Sequence, residues 1–110
     1  MIRATPAAIE LLNMIRTDHG AVMFHQSGGC CDGSSPMCYA EGEFRLGQSD
    51  VKIGEIEGAP FFMSAVQFEA WKNVPILLDA VPGRGGMFSL DNGREIRFLI
   101  RPDPDFGSGR

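Results

Sequence analysis

Short apolar runs separated by glycine and proline are the feature that most constrains the fold of this chain. Its 110 residues include 14 Gly and 7 Pro, distributed between short apolar segments. Two segments carry helix-start signals, and most of the others have the length and composition of β-strands. The connections between the predicted strands are too short for repeated parallel crossovers, each of which takes about a dozen residues. The sequence therefore predicts an α+β fold with mainly antiparallel short strands.

Two helices are predicted from their capping residues. Thr5 is placed to cap the first helix, and Pro6 suits its first position because proline lacks an N–H. The apolar residues that follow have helical spacing: Ala8, Leu11, Leu12 and Ile15. Gly20 is suited to end this helix. Ser64 and Gln67 have the spacing of a capping box and predict a second, short helix.

The predicted strands occupy residues 21–26, 39–46, 51–56, 59–63 and 75–81. The last of these is expected to be a central strand, and Asp79 interrupts its apolar run. A carboxylate in such a strand needs a partner, and Arg97 or Arg101 is the expected one. A C-terminal hairpin is predicted from residues 87–90 and 94–101, because the Asn and Gly of the intervening turn tolerate positive φ.

The domain organisation predicted is one α+β domain over residues 1–101 and a flexible C-terminal tail over residues 102–110. Ten Lys and Arg against fourteen Asp and Glu give a net charge of −4. This balance argues against non-specific nucleic-acid binding, which needs a dense basic surface. No apolar run approaches the roughly 18 residues that cross a membrane. The N-terminus also lacks the apolar core of a signal peptide, so a cytoplasmic protein is expected.

All three cysteines lie within nine positions of one glycine-rich segment: Cys30, Cys31 and Cys38. An odd number of cysteines without a signal peptide argues against a disulfide framework. The neighbouring glycines allow tight backbone turns, so the three sulfur atoms are expected to converge. His25 precedes the segment on a predicted strand and can reach the same place.

The sequence therefore predicts a metal centre with four ligands: Cys30, Cys31, Cys38 and His25. Asp32 and Met37 are weaker candidate ligands. The spacing of the cysteines specifies no metal, so zinc, copper and an iron–sulfur cluster all remain open. A cluster needs four protein ligands, so with three cysteines in each chain the fourth comes from His25 or from a second subunit. In the second case the protein is a homo-oligomer with a shared site.

Two alternatives remain beside the metal centre. In a thiol-redox protein, Cys30 or Cys31 is the reactive thiol, activated by the backbone N–H groups of the glycine-rich turn, and Cys38 is the resolving thiol. In the other alternative the cysteines only pack in the interior. No acid–base pair or Ser-His-Asp arrangement is readable in the sequence, so a non-enzymatic accessory protein is favoured.

The chain resembles a small bacterial family, domain-of-unknown-function family seven-seven-nine. The resemblance runs from the Thr5-Pro6 helix start through residues 25–33 and Met37-Cys38-Tyr39 to the strand at residues 97–100. Members of that family are often encoded beside aldehyde dehydrogenases. The resemblance thus implies an accessory role in aldehyde or alcohol oxidation, with an aldehyde dehydrogenase as the partner. A non-catalytic module that binds this enzyme is a further alternative.

A more distant similarity is to the HesB-like A-type iron–sulfur carriers. Those proteins also run from an amphipathic helix into a strand and a Gly-Gly-Cys loop, matched here by Gly28, Gly29 and Cys30. Their C-terminal Cys-Gly-Cys has no counterpart in this chain. If the fold is shared, Cys31 and Cys38 take the place of the missing pair.

Overall fold

The computed structural model describes residues 2–26, 35–43, 45–85 and 89–104. In these residues the chain forms seven strands and two helices. Their order is β1 (Ile2–Ala4), α1 (Pro6–His19), β2 (Val22–Gln26), β3 (Met37–Ala40), β4 (Val51–Ile56), β5 (Ala59–Met63), α2 (Ala65–Trp71), β6 (Ile76–Pro82) and β7 (Ile96–Pro102). The predicted α+β class is confirmed.

The strands form two sheets. One has the order β3-β2-β5-β4 and the other the order β1-β6-β7. Between the described strands, the pairs β2/β3, β4/β5 and β6/β7 are antiparallel, and β1/β6 and β2/β5 are parallel. Antiparallel pairing therefore predominates, as the short connections predict.

Both sheets and α1 contribute to one core. Phe24 on β2 packs against Phe61 on β5 with 5.5 Å between ring centroids. It also meets Phe98 on β7 edge to face, with 4.9 Å between centroids. Because Phe98 belongs to the other sheet, the Phe24 ring joins the two sheets. The apolar stripe of α1 closes this core with Ala8, Leu11, Leu12 and Ile15.

The two helices begin where the sequence predicts. The Thr5 side chain accepts a hydrogen bond from the Ala8 N–H over 3.1 Å, and the Ser64 side chain accepts one from the Gln67 N–H over 3.3 Å. Gly20 has a φ of 82° at the end of α1, a conformation that favours glycine. Within the described part of the chain, no helix is long and apolar enough to cross a membrane.

The C-terminal strand has a different partner from the one predicted. β7 pairs along its whole length with β6, from Ile76↔Pro102 to Pro82↔Ile96. Residues 87 and 88 of the predicted hairpin arm lie outside the described residues, and Ser89 and Leu90 are not in a strand. Both instead bond to Cys38: its N–H donates to the Ser89 Oγ over 2.8 Å, and its carbonyl accepts from the Leu90 N–H over 2.8 Å. The Leu90 N–H, a backbone group that a hairpin arm needs, is thus occupied by a tertiary bond.

Other differences concern strand bounds. β3 covers residues 37–40 rather than 39–46, because its pairing with β2 ends at Ala40. The strand β1 was not predicted from the sequence. Three residues are too few for a periodic pattern, and β1 is defined by its parallel pairing with β6.

The described fold extends past Arg101, where the predicted domain ends. Asp103 is only 6% exposed. Its carboxylate accepts hydrogen bonds from Arg3 Nε and Nη2 over 2.6 and 2.8 Å. This two-bond ion pair ties the start of the chain to the end of β7. Residues 105–110 of the predicted tail lie outside the described residues.

Asp79 on β6 has the kind of partner that the sequence predicts. Thr5 Oγ1 donates to its Oδ1 over 2.8 Å, and Arg101 Nη2 donates to its Oδ2 over 3.0 Å. Burial acts to raise the pKa of Asp79, but the bonds from Thr5 and Arg101 outweigh it and hold the pKa below its ordinary value. Of the two arginines considered, Arg101 is the one that pairs with it.

We expect Asp79→Asn to lower the free energy of unfolding by about 1 to 2 kcal/mol at pH 7, because charge-assisted hydrogen bonds are lost. The lowered pKa means that the ionised form stabilises the fold above the ordinary value of 3.8, and that this contribution disappears as the pH falls through the lower folded pKa. The difference between the two proteins should therefore shrink in acid. Urea unfolding at neutral and acidic pH measures it, with Glu10→Gln on the exposed side of α1 as the control. An equal difference at both pH values would contradict this account.

Candidate functional site at the loop end of the β2–β3 hairpin

The antiparallel pair β2/β3 ends beside the cysteine-containing segment. His25 and Met37 are register partners at the end of this pair. The chain between them includes Cys30 and Cys31, which lie outside the described residues, as does Asp32. We call the place where His25 and Met37 face each other the loop end of the hairpin. Cys30 and Cys31 both belong to the segment that connects β2 to β3 at this end.

The two faces of this sheet have different surroundings. Successive residues of a strand point to opposite faces. Phe24 and Cys38 are register partners, and both belong to the core. His25 and Met37, one residue away on each strand, therefore lie on the opposite face, which we call the outer face.

This arrangement separates two of the four predicted ligands. Cys38 is fully buried. Burial, followed by the nearby charge of Asp91, raises the pKa of its thiol to about 12. A neutral thiol in the core is neither a good metal ligand nor a good nucleophile. The expectation that Cys38 converges with His25 is thus corrected, because the sheet lies between them.

The described residues contain no group of three or more His, Cys, Asp or Glu side chains placed to hold a metal ion. A shared site for Cys30, Cys31 and His25 stays a prediction.

The structure adds a residue that the sequence analysis missed. His25 Nε2 lies 2.9 Å from Asp50 Oδ1, and the two side chains are only 5% and 13% exposed. The other oxygen of Asp50 accepts a hydrogen bond from the Gly47 N–H over 2.7 Å. The hydrogen bond with His25, followed by that from Gly47, holds the pKa of Asp50 below its ordinary value. Asp50 is therefore ionised at neutral pH and fixes the orientation of the imidazole.

Little in the sequence pointed to Asp50. It lies 25 positions from His25 in what reads as an ordinary turn. β2 pairs in parallel with β5, and β5 pairs with β4. These pairings bring Asp50, in the turn before β4, next to His25 on the outer face.

The pair of His25 and Asp50 supports two kinds of chemistry. A carboxylate that bonds one ring nitrogen orients the other for a metal ion, as is general for metal-binding histidines. The same pair also makes a base with its orienting group, as beside a nucleophilic cysteine. Met37, opposite His25 on the outer face, adds a thioether, a soft ligand.

Comparison with known proteins identifies a family. A family model described as Domain of unknown function (DUF779) matches residues 11–103, which include both His25 and Asp50. No curated protein and no solved structure gave a match. Because the family model covers most of the sequence, this chain belongs to the DUF779 family.

Proposed function

We propose that this protein binds a soft metal ion at the loop end of the β2–β3 hairpin. His25 is the imidazole ligand, and Cys30 and Cys31 are the thiolate ligands. The observation that carries the proposal is the orientation of His25 by Asp50, 2.9 Å away. This oriented imidazole lies in the last register pair before the segment that contains both cysteines.

The donor set favours copper(I), with zinc second. Thiolate and thioether are soft ligands and imidazole also suits copper and zinc. Met37 places a thioether opposite His25. With Cys38 in the core, one chain has two thiols left for the site. An iron–sulfur cluster is usually held by four cysteine thiolates, so it would need those of two chains. The oligomeric state of the metal-loaded protein therefore distinguishes a shared cluster in a homo-oligomer from a single ion.

Metal titration of the protein purified without oxygen tests the proposal. Competition with a chromophoric chelator should give one copper(I) per chain. Cys30→Ser and Cys31→Ser should each weaken copper binding by about a hundredfold or more, because a thiolate ligand is lost. Cys38→Ala is the matched control and should leave the affinity unchanged. A protein that binds no copper(I), zinc or iron, or one that loses metal only in Cys38→Ala, would refute the proposal.

Asp50→Asn tests the role of the carboxylate. We expect it to weaken metal binding about tenfold to a hundredfold, the usual effect of removing a group that orients a metal-ligating histidine. Asp18→Asn removes another carboxylate, which lies 56% exposed beside Arg94, and should have no effect on metal binding. Equal affinities for the two variants would show that Asp50 does not position a ligand.

A second candidate is thiol chemistry at Cys30 or Cys31, with His25 as the base. The same carboxylate–imidazole pair favours it, since an oriented base activates a neighbouring thiol. Cys38 is not suited to be the resolving thiol, because its pKa is raised to about 12 by burial. Two results together would support this candidate over the metal centre. The metal-free protein should be stable, and its Cys30 or Cys31 should react rapidly with iodoacetamide. The same cysteine should react slowly in the His25→Asn variant.

The resemblance to proteins encoded beside aldehyde dehydrogenases suggests the role of the site. We propose an accessory function in an aldehyde or alcohol oxidation system, with the dehydrogenase as partner. Binding measured between the two purified proteins, with and without metal, tests it. A dehydrogenase that binds Cys30→Ser as well as the unchanged protein would indicate a non-catalytic binding module instead.

A further inference from the structure

A cavity of about 250 Å³ lies between β4, α2 and the start of β6, lined by none of the proposed metal-site residues. Its buried lining comes from Met63, Trp71 and Ile76. Phe68 and Val74, both half-buried, extend the apolar wall. An apolar cavity of about 150 Å³ holds a benzene molecule, so this one has room for roughly ten non-hydrogen atoms.

Two local features form the walls. On β4, Ile53 is an extra residue between Lys52 and Gly54, which pair with consecutive residues of β5. Such a bulge changes the direction of the side chains around it, and both Lys52 and Ile53 line the cavity. On α2, helical spacing places Phe68 on the same side as Trp71 and Lys72.

Charge is concentrated at this cavity. Lys52 and Lys72 are the two lysines of the whole sequence, and both line the cavity, one from β4 and one from α2. Each has an ion pair with a neighbour on its own segment: Lys52 with Glu55 at 2.9 Å and Lys72 with Glu69 at 3.0 Å. All four side chains are about half exposed or more. Such surface pairs are weak, so an anion bound between the lysines can replace the glutamates.

We propose that this cavity binds a small apolar carboxylate. Its hydrocarbon part lies against Trp71 and Met63, and its carboxylate lies between Lys52 and Lys72. The apolar walls select an aromatic or short aliphatic group, and the two ammonium groups select the negative charge. This site is independent of the proposed metal centre.

Trp71 is the single tryptophan of the chain and reports directly on the cavity. Phenylacetate should change its fluorescence in a saturable manner and bind about tenfold more tightly than the neutral phenylacetamide, at about threefold for each lysine. In the double variant Lys52→Gln/Lys72→Gln the two compounds should bind equally. Arg84→Gln, which removes an exposed positive charge elsewhere, should keep the preference for the carboxylate.

A cavity-filling variant locates the site. Val74→Phe should abolish binding of both compounds, with Ile53→Phe used if Val74→Phe does not fold. Equal affinity of the unchanged protein for phenylacetate and phenylacetamide would overturn the proposal. So would unchanged binding in a folded cavity-filling variant, or the absence of saturable binding by both fluorescence and calorimetry.

Discussion

Replacing Phe24 with alanine should lower the free energy of unfolding by about 4 kcal/mol. Phe24 is fully buried, and its ring contacts Phe61 in its own sheet and Phe98 in the other. The substitution leaves a cavity where the sheets meet and removes two aromatic contacts. A domain of this size is stable by about 5 to 15 kcal/mol, so the variant should be close to unfolding. Urea denaturation followed by circular dichroism measures the change.

Val66→Ala is the control for this experiment. Val66 on α2 is 77% exposed, so its truncation should change stability by no more than about 0.5 kcal/mol. Phe24→Leu keeps most of the apolar volume and serves if Phe24→Ala does not fold. A loss below about 1 kcal/mol in Phe24→Ala would mean that this ring does not hold the two sheets together.

Cys38 should react with iodoacetamide at least about a thousandfold more slowly than an exposed cysteine. Its pKa is raised from 9.0 to about 12. Reactivity follows the thiolate population, which at neutral pH falls about tenfold for each unit by which the pKa rises. Burial of the sulfur slows the reaction further. Mass spectrometry of the labelled peptides, with metal removed, gives the rate for each cysteine. In concentrated urea the three cysteines should react alike.

The raised pKa of Cys38 also has a consequence for stability. The neutral thiol is the form that the folded protein accommodates, so its contribution is complete below the ordinary value of 9.0 and is lost as the pH rises toward about 12. Cys38→Ala should lose stability less steeply over this alkaline range. Rapid native-state labelling of Cys38 would contradict its assignment to the core and return it to the list of metal ligands.

Local signals in the sequence accounted for the parts of the fold that depend on neighbouring residues. The caps at Thr5 and Ser64 and the helical spacing of α1 are determined within a few positions. The partner of Asp79 could be narrowed to two arginines because the pleat of a strand restricts which residues share a face. Arg101, across the β6/β7 pair, was one of these.

The arrangement of the candidate site depends on which strands pair and in which register, and local sequence signals do not show this. The clustering of cysteines along the chain suggested one common centre, but Cys38 and His25 lie on opposite faces of one sheet. The β2/β3 pairing places these two side chains on opposite faces, and ten residues connect Gln26 at the end of β2 to Met37 at the start of β3. No turn type determines the register across so long a connection. The contact between Asp50 and His25 likewise needs the neighbouring strands to be paired.

The sequence by itself thus determined the two helices, most of the strand positions and the presence of a thiol-rich segment after His25. These follow from side-chain periodicity and capping, which act over a few residues. Only the tertiary structure decided that Cys38 belongs to the core, that Asp50 orients His25 and that two lysines far apart in sequence share one cavity. The physical reason is that strand pairing and burial join distant segments, and these contacts determine which polar groups remain neutral, charged or accessible.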